Sequence, residues 1–493
     1  MFYKSTRSNE KATALSAEVI KQGLADDGGL FVPDSIPAIA PQEIEALCKE
    51  SYPVRAATVL SKFLSDYTYE ELLEDCEKAY DEKSFIGGAA PLVNIHDGFE
   101  SLELWHGPTA AFKDMALQIM PRLLSRALEK TGEKRTALIL VATSGDTGKA
   151  ALEGYKDVPR VKIMVFYPID GVSRVQKLQM ATQTGSNVNV CAIRGNFDDA
   201  QNGVKVIFGD KEMAEKLQAK GYFFSSANSI NWGRLAPQIV YYVSAYCDLI
   251  NAGKCRLGEE FNVCVPTGNF GNIFAAYLAK LMGLPIGHMV CASNSNNILT
   301  DFLRTGTYDR NRDFYLTMSP SMDILISSNL ERLLYFTAGS EKTAAYMNAL
   351  KKDGCYTVDA DVLSEIRKNF SGYFTNEEQT AKTIRDTYEK YGYLADTHTA
   401  VAIHAAEEYV KETGDNRPMV IDSTASPYKF ANDVYRAVTD KDATNELAAL
   451  DELSAATETV IPYPLAGLAS RKVNFETVID RDKMADAVLD YIN

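Results

Sequence analysis

Val265-Pro266-Thr267-Gly268-Asn269-Phe270-Gly271-Asn272 joins a short apolar run, Phe261–Pro266, to a longer apolar segment, Asn272–Met282. The run has the length and β-branched content of a buried strand, and the segment has the length of a helix. Gly268 and Gly271 let backbone N–H groups converge without Cβ obstruction. The helix that follows adds the positive end of its dipole, so the loop is suited to hold a phosphate. No Lys-Ser/Thr pair follows the glycines and no dinucleotide fingerprint is present, which sets it apart from nucleotide loops. A glycine-rich turn that only connects two elements would read the same way.

The texture on either side is that of an α/β protein. Thr136–Ala142, Val161–Tyr167, Asn187–Ile193, His288–Ala292 and Met419–Ile421 read as further buried strands. Met115–Leu128, Val172–Thr182, Leu235–Ile250 and Thr399–Lys411 read as helices, the first kinked or split by Pro121. Such alternation implies right-handed crossovers and mainly parallel sheets flanked by helices. Residues 1–92 are mostly helical and close on the Gly87–Pro91 stretch, with a turn at Asp26–Gly29 running into an extended Leu30–Pro33. Residues 305–395 are helical and charged without a strand rhythm, and read as an insertion.

With 46% hydrophobic and 24% charged residues, 493 residues form a globular protein of two or three domains. The net charge of −15 argues against nucleic acid as a partner. No apolar run approaches the ~18–20 residues of a membrane span, and Met1–Gly23 lacks the apolar core of a secretory signal. No N-terminal extension suggests import into an organelle. Eight scattered cysteines without a C-x-x-C pair read as reduced thiols of a cytoplasmic protein, and no metal site is expected.

Two more strand-to-helix junctions carry chemistry, since ligands of open α/β sheets bind at the carboxyl ends of strands. Thr143-Ser144-Gly145-Asp146-Thr147-Gly148 offers hydroxyls and N–H groups at a helix start, suited to a carboxylate or phosphate, or simply to an N-cap. Trp105-His106-Gly107-Pro108-Thr109-Ala110-Ala111-Phe112-Lys113-Asp114 places one lysine among small and aromatic residues at a helix start. Desolvation and the dipole both favour a neutral, nucleophilic amine there. Alone, Lys113 would more often be a surface lysine.

Cradle, lysine and hydroxyl loop together resemble the tryptophan-synthase-β-like class of pyridoxal-phosphate enzymes, and within it the threonine synthase family in its longer form. The 106–114 stretch is similar to that family's cofactor-lysine motif. Ser5-Thr6-Arg7, Gly23–Pro33, Ser319-Pro320-Ser321-Met322-Asp323-Ile324 and Ser328-Asn329-Leu330-Glu331-Arg332 resemble other stretches of it, in its order. The resemblance implies a helical N-terminal domain (1–92), a smaller α/β domain carrying Lys113 (93–230) and a larger one carrying the phosphate loop (231–493, with the insertion at about 305–395).

It further implies pyridoxal phosphate on Lys113, which would then move protons at the substrate's Cα and Cβ. Gly268, Asn269, Phe270, Gly271 and Asn272 would bind the cofactor phosphate, and Thr424 the pyridine nitrogen. Ser144, Gly145, Asp146 and Thr147 would lie by the substrate carboxylate and the cofactor's phenolic oxygen. Asn228, Ser229, Arg234 and Lys177 would hold the substrate's phosphate, arginine as a fork and lysine as a point charge. The chain departs from the family's pattern with Thr397 in place of proline and Ser426 in place of histidine. His398 reads either as a site residue or as a core or capping histidine.

The implied reaction converts O-phosphohomoserine and water to L-threonine and phosphate, in the cytoplasm, by a protein expected to be monomeric. Rivals are a phospho-lyase or a serine/threonine dehydratase of the same fold, and, in another class, a catalytically silent relative acting as a binding module. The intact Lys113 and glycine cradle oppose the last.

Overall fold

The computed structural model describes residues 1–143 and 145–493. Strands follow in the order β1 (Tyr3–Ser5), β2 (Phe31–Pro33), β3 (Leu92–His96), β4 (Phe99–Glu103), β5 (Thr136–Ala142), β6 (Val161–Pro168), β7 (Val188–Arg194), β8 (Tyr222–Ser225), β9 (Phe261–Pro266), β10 (Ile286–Ser293), β11 (Thr307–Asp309), β12 (Cys355–Thr357), β13 (Phe370–Phe374), β14 (Met419–Ser423) and β15 (Val478–Asp480). Runs such as FNVCVP and TALILVA carry no polar alternation because helices cover both faces. The strands build two large sheets beside the two-stranded pairs β1–β2 and β11–β12. The larger has the order β13-β10-β9-β14-β4-β3, parallel except for the β3–β4 hairpin; the smaller is β15-β7-β6-β5-β8, parallel throughout.

Strand pairing crosses the divisions expected from the sequence. β3 and β4 open the 93–230 segment but lie in the larger sheet, where Phe99–Glu103 registers beside Met419–Ser423. Phe99-Glu-Ser-Leu-Glu103 carries three polar residues, yet all five residues are buried. Glu100 is paired by Lys254, the Ser101 hydroxyl meets Tyr393 Oη at 2.7 Å, and Glu103 Oε2 meets His106 Nε2 at 2.7 Å. Lys254 and Tyr393 are remote in sequence, so nothing local announces them, whereas His106 is only three residues from Glu103. β15 returns from the C-terminus to the smaller sheet. Within 305–395, β13 extends the larger sheet beside β10, and β11 pairs with β12. Gly372 permits β13 to pass a helix, since a Cβ there would lie 2.8 Å from the Thr300 Cα.

Pro121 ends one helix and starts the next, giving Asp114–Leu117 and Met120–Lys130. The helix Trp232–Asn251 is apolar almost all round because it is enclosed, packing on Tyr52–Phe63, Asp114–Leu117 and Gly271–Leu281. It also packs on Pro41–Leu47, Met120–Lys130 and β3, and so joins the N-terminal helices to the helices around Lys113. A second close contact joins the lysine to the hydroxyl loop: a Cβ at Gly154 would stand 1.8 Å from the Leu117 carbonyl. Only glycine lets helix Asp146–Tyr155 approach helix Asp114–Leu117 so tightly. Among the described residues no helix is long and apolar enough to cross a membrane.

Candidate active site

Two loops sewn together place Lys113. Leu104 N–H donates to Ser423 O (2.9 Å), Phe112 N–H to Thr424 O (2.8 Å), and Ser426 N–H to Ala110 O (3.1 Å). The lysine loop thus runs along the loop after β14, with Thr424 on it. The lysine loop is also closed on itself: Thr109 N–H and Oγ1–H donate to the Asp114 carboxylate, each at 2.8 Å. Gly107 makes room, since a Cβ there would meet Asp114 at 2.6 Å. This is why Gly107, Thr109 and Asp114 stand at those spacings. Ser426 caps the turn that follows, its Oγ accepting from Tyr428 N–H at 3.3 Å.

The Lys113 amine lies 3.8 Å from Asp146 Oδ2 and donates to Ser321 Oγ at 3.3 Å. Burial pushes the amine down to about 8, against the pull of Asp146 and with the help of Lys429 and Arg234. Asp146 is itself buried, which would raise its carboxyl, but Lys429 and Lys113 outweigh this and hold it well below the usual range. Gln176 Nε2 donates to Asp146 Oδ1 at 2.8 Å and closes over Gly145, whose φ is +146°.

Lys429 was not singled out from the sequence, where it is one lysine among many. It is fully enclosed, 2.7 Å from Asp146 Oδ1, and donates to Thr109 O and Gln179 Oε1 at 3.1 Å each. Its loss would leave a buried carboxylate without its closest cation, with Lys113 at 3.8 Å, a change that costs about 3–5 kcal/mol. We therefore expect Lys429→Met to lower unfolding free energy by about that amount in urea titrations at pH 7. Because the Asp146 titration is depressed in the folded state, the pair stays charged as pH falls to the ordinary carboxylate range. In the variant the buried Asp146 carboxyl, without Lys429, takes up a proton at higher pH than in wild type, so the deficit should be largest at neutral pH and shrink as pH falls through that raised titration.

The glycine loop is built as expected. Phe270 adopts a left-handed conformation (φ +64°) and caps helix Gly271–Leu281. Among the described residues, none of the N–H groups of Gly268, Asn269, Phe270, Gly271 and Asn272 finds an acceptor within the protein. Five converging donors at a helix start form an anion cradle. Asn272 Nδ2 donates back to Pro266 O (3.1 Å), bracing the turn. Gly268 is pressed against the Ser321 carbonyl, 2.6 Å from where a Cβ would be. The N–H groups of Asp146 and Thr147 likewise have no acceptor among the described residues, and Thr147 is half-buried at the same helix start. Ser144 lies outside the described residues. The Thr424 hydroxyl makes no hydrogen bond among them either, although the residue is buried.

Arg234 sits in the first turn of helix Trp232–Asn251, 5% exposed. Its Nη1 donates to Ala227 O at 2.9 Å, and among the described residues its Nε has no partner and no carboxylate pairs with it. Burial lowers the guanidinium to about 10. Asn228 is exposed and Ser229 half-buried on the loop before that helix, where Ser229 Oγ donates to Asn228 Oδ1 (3.2 Å). Lys177 is half-buried on helix Arg174–Ala181 and makes no ion pair among the described residues. A remote residue holds the cradle and this loop together. Asn329 Nδ2 donates to Asn269 O (3.0 Å) and Ser229 O (3.4 Å). The next turn reaches the N-terminal segment, as Arg332 donates to Ile230 O (2.7 Å) and Phe31 O (3.0 Å). Asn329 and Arg332 lie in a stretch noticed in the sequence, but their partners are legible only in three dimensions.

A cradle of free N–H groups, a desolvated lysine and an unpartnered hydroxyl converge on the ends of β4, β9 and β14. These donors fit pyridoxal phosphate. A family model described as pyridoxal-phosphate dependent enzyme matches residues 102–422 and defines the class. Flanking models, threonine synthase N terminus and threonine synthase, C-terminal, match residues 2–80 and 399–492. The chain belongs to the threonine synthase family. It is 40% identical to threonine synthase of Pseudomonas aeruginosa, over 89% of this chain and 90% of that one. It is 39% identical to human threonine synthase-like 1 over 86% of its own length, but spans only 58% of that relative. The crystal structure of pyridoxal-phosphate-bound threonine synthase from Brucella melitensis superposes with a TM-score of 0.87 at 37% identity, covering 100% of this chain and 98% of that one.

Proposed function

We propose that the protein converts O-phosphohomoserine and water to L-threonine and phosphate. The observation that carries the reading is Arg234, a buried guanidinium without a carboxylate partner among the described residues, close enough to Lys113 to depress its amine. A cofactor with one phosphate needs one cradle, which Gly268–Asn272 supplies. A second buried cation calls for a second anion, and the phosphate ester of the substrate is one. A serine/threonine dehydratase, whose substrate carries no phosphate, leaves Arg234 unexplained.

When bound, pyridoxal phosphate supplies the electron sink for negative charge developing at the substrate's Cα. The residues of the chain do the rest. Lys113, once free, takes the Cα proton, gives it up, and then takes a Cβ proton as the Cγ–O bond breaks and phosphate departs; a proton is then delivered to Cγ, water adds its hydroxyl at Cβ, and a proton returned to Cα completes the product. Arg234, together with Lys177, Asn228 and Ser229, stabilises the charge gathering on the leaving phosphate. Asp146 and Lys429, each neutralising the other, keep the amine from a full ion pair. Thr424 provides a hydroxyl for the ring nitrogen, and the Asp146 and Thr147 N–H groups face the substrate carboxylate. We also place the protein in the cytoplasm as a monomer; the eight free cysteines support the compartment.

The test is to give the purified, cofactor-loaded protein O-phosphohomoserine and to quantify phosphate and threonine. Equal amounts of both are expected. Cofactor binding without phosphate release would move the substrate to a rival of the same class.

A further inference from the structure

Among the described residues, the nearest hydrogen-bond partner of the Lys113 amine is a hydroxyl, not the carboxylate beside it. Ser321 Oγ stands 3.3 Å from Nζ, whereas Asp146 Oδ2 at 3.8 Å is out of hydrogen-bond range. That hydroxyl is held by a built support. Ser321 N–H donates to His398 Nε2 at 3.0 Å, so Nε2 is the acceptor and Nδ1 bears the hydrogen facing Asp396 Oδ1 at 2.9 Å. His398 and Asp396 are 2% and 1% exposed. Asp396 is fixed in turn as the cap of helix Thr397–Thr413, accepting from the N–H groups of His398 (2.8 Å) and Thr399 (3.3 Å). Asp323, two residues past Ser321, anchors the turn by accepting from Thr317, Asn294 and Asn296. From below, Gly268 packs on the Ser321 carbonyl, so cofactor cradle and lysine partner share one contact. A histidine serving only as a cap would have no need to reach a turn 77 residues away.

We propose that Ser321 is a catalytic partner of Lys113 whose hydroxyl holds the free amine off Asp146, and that His398 and Asp396 are positioning residues that fix this hydroxyl. The proposal rests on the reading of Lys113 as the proton-moving base. An amine that closed on Asp146 would become an ammonium ion unable to take a proton. A hydroxyl both accepts from an amine N–H and donates to its lone pair, so it restrains the group in either state. The charged groups that bear on the amine are Asp146, Lys429, Arg234 and Asp114; only Asp146 is near enough to capture it.

The test uses the full-length chain freed of cofactor, where an amine-directed acylating reagent and mass spectrometry follow Lys113 labelling against pH. In Ser321→Ala we expect the midpoint to move up by about one pH unit as the amine closes on Asp146. Ser321→Thr, which keeps the hydroxyl, should retain the wild-type midpoint. In the cofactor-loaded enzyme, Ser321→Ala should lower kcat by about 10- to 100-fold with KM changed by no more than about threefold. A midpoint in Ser321→Ala that falls, or stays within about 0.3 unit of wild type, would overturn the proposal whatever turnover does, because a displaced loop also lowers turnover. If Ser321→Ala does not fold, His398→Ala against His398→Gln decides by the same midpoint: alanine should raise it and glutamine, with a carbonyl acceptor, should restore it. Equal midpoints would refute the support. Labelling needs no substrate, so a wild-type enzyme inert toward O-phosphohomoserine would sink the substrate reading and still leave Ser321 to be judged.

Discussion

Lys113→Ala should lower turnover of O-phosphohomoserine by at least about 10^4-fold while the protein stays folded. The first half follows from two roles held by one amine, anchoring the cofactor and moving protons, neither of which a neighbour can assume. Lys429 cannot substitute, because its three donors are already committed to Asp146, Thr109 and Gln179. The second half follows from the surrounding charges. Asp146 keeps Lys429 at 2.7 Å and Gln176 at 2.8 Å, so removing Lys113 does not strand its carboxylate. The lysine is moreover a burden on the fold, since burial holds its amine at about 8 against an ordinary 10.5. Between those values the unfolded chain binds more protons than the folded one, so wild-type stability in the cofactor-free protein should rise with pH from about 8. Lys113→Ala should start higher and lack that rise. Urea titrations at pH 7 and 9.5 would check it; a variant that unfolds more readily than wild type at pH 7 would show the lysine to be structural.

Legibility of this molecule follows the range of the interactions. Buried parallel strands such as Thr136–Ala142 and Phe261–Pro266 announce themselves because burial on both faces removes polar residues from the run. Gly268–Asn272 is legible because local glycine spacing alone builds the cradle. β4 was not, because its buried Glu100 is satisfied by the remote Lys254, and β13 was not, because Phe370–Phe374 is short and set among charged helices. At the site the same division holds. Lys113, Asp146, Thr424 and Arg234 sit in stretches with a recognisable local pattern. Lys429 and Ser321 act only through partners brought from far along the chain, and no local pattern marks a lysine as enclosed or a serine as facing an amine. His398 shows the intermediate case: its cap on Asp396 is a local feature, while its contact with Ser321 is not.

Arg234→Ala should cut kcat/KM for O-phosphohomoserine by about 10^2- to 10^3-fold, the usual loss when one pre-placed donor to developing charge is removed, without destabilising the fold. A guanidinium lowered to about 10 from 12.5 is charged at neutral pH in both folded and unfolded chains, and its burial disfavours folding until an anion arrives. Its one direct hydrogen bond, to Ala227 O, is a small return. Alanine removes both the bond and the desolvated charge, so thermal stability of the cofactor-loaded variant should equal or exceed that of wild type. Inorganic phosphate separates this from a generic loss of activity. Bound at the second anion site, it should stabilise the loaded wild type by about 2–3 kcal/mol at a hundred times its Kd, and should do so much less in Arg234→Ala. Arg234→Lys, which keeps a point charge but not the fork, should fall between the two in both measurements. Should the alanine variant keep wild-type kcat/KM and the full response to phosphate, the second anion site would lie elsewhere, and the unpaired buried arginine would stand as a cost to the fold that nothing in the reaction offsets.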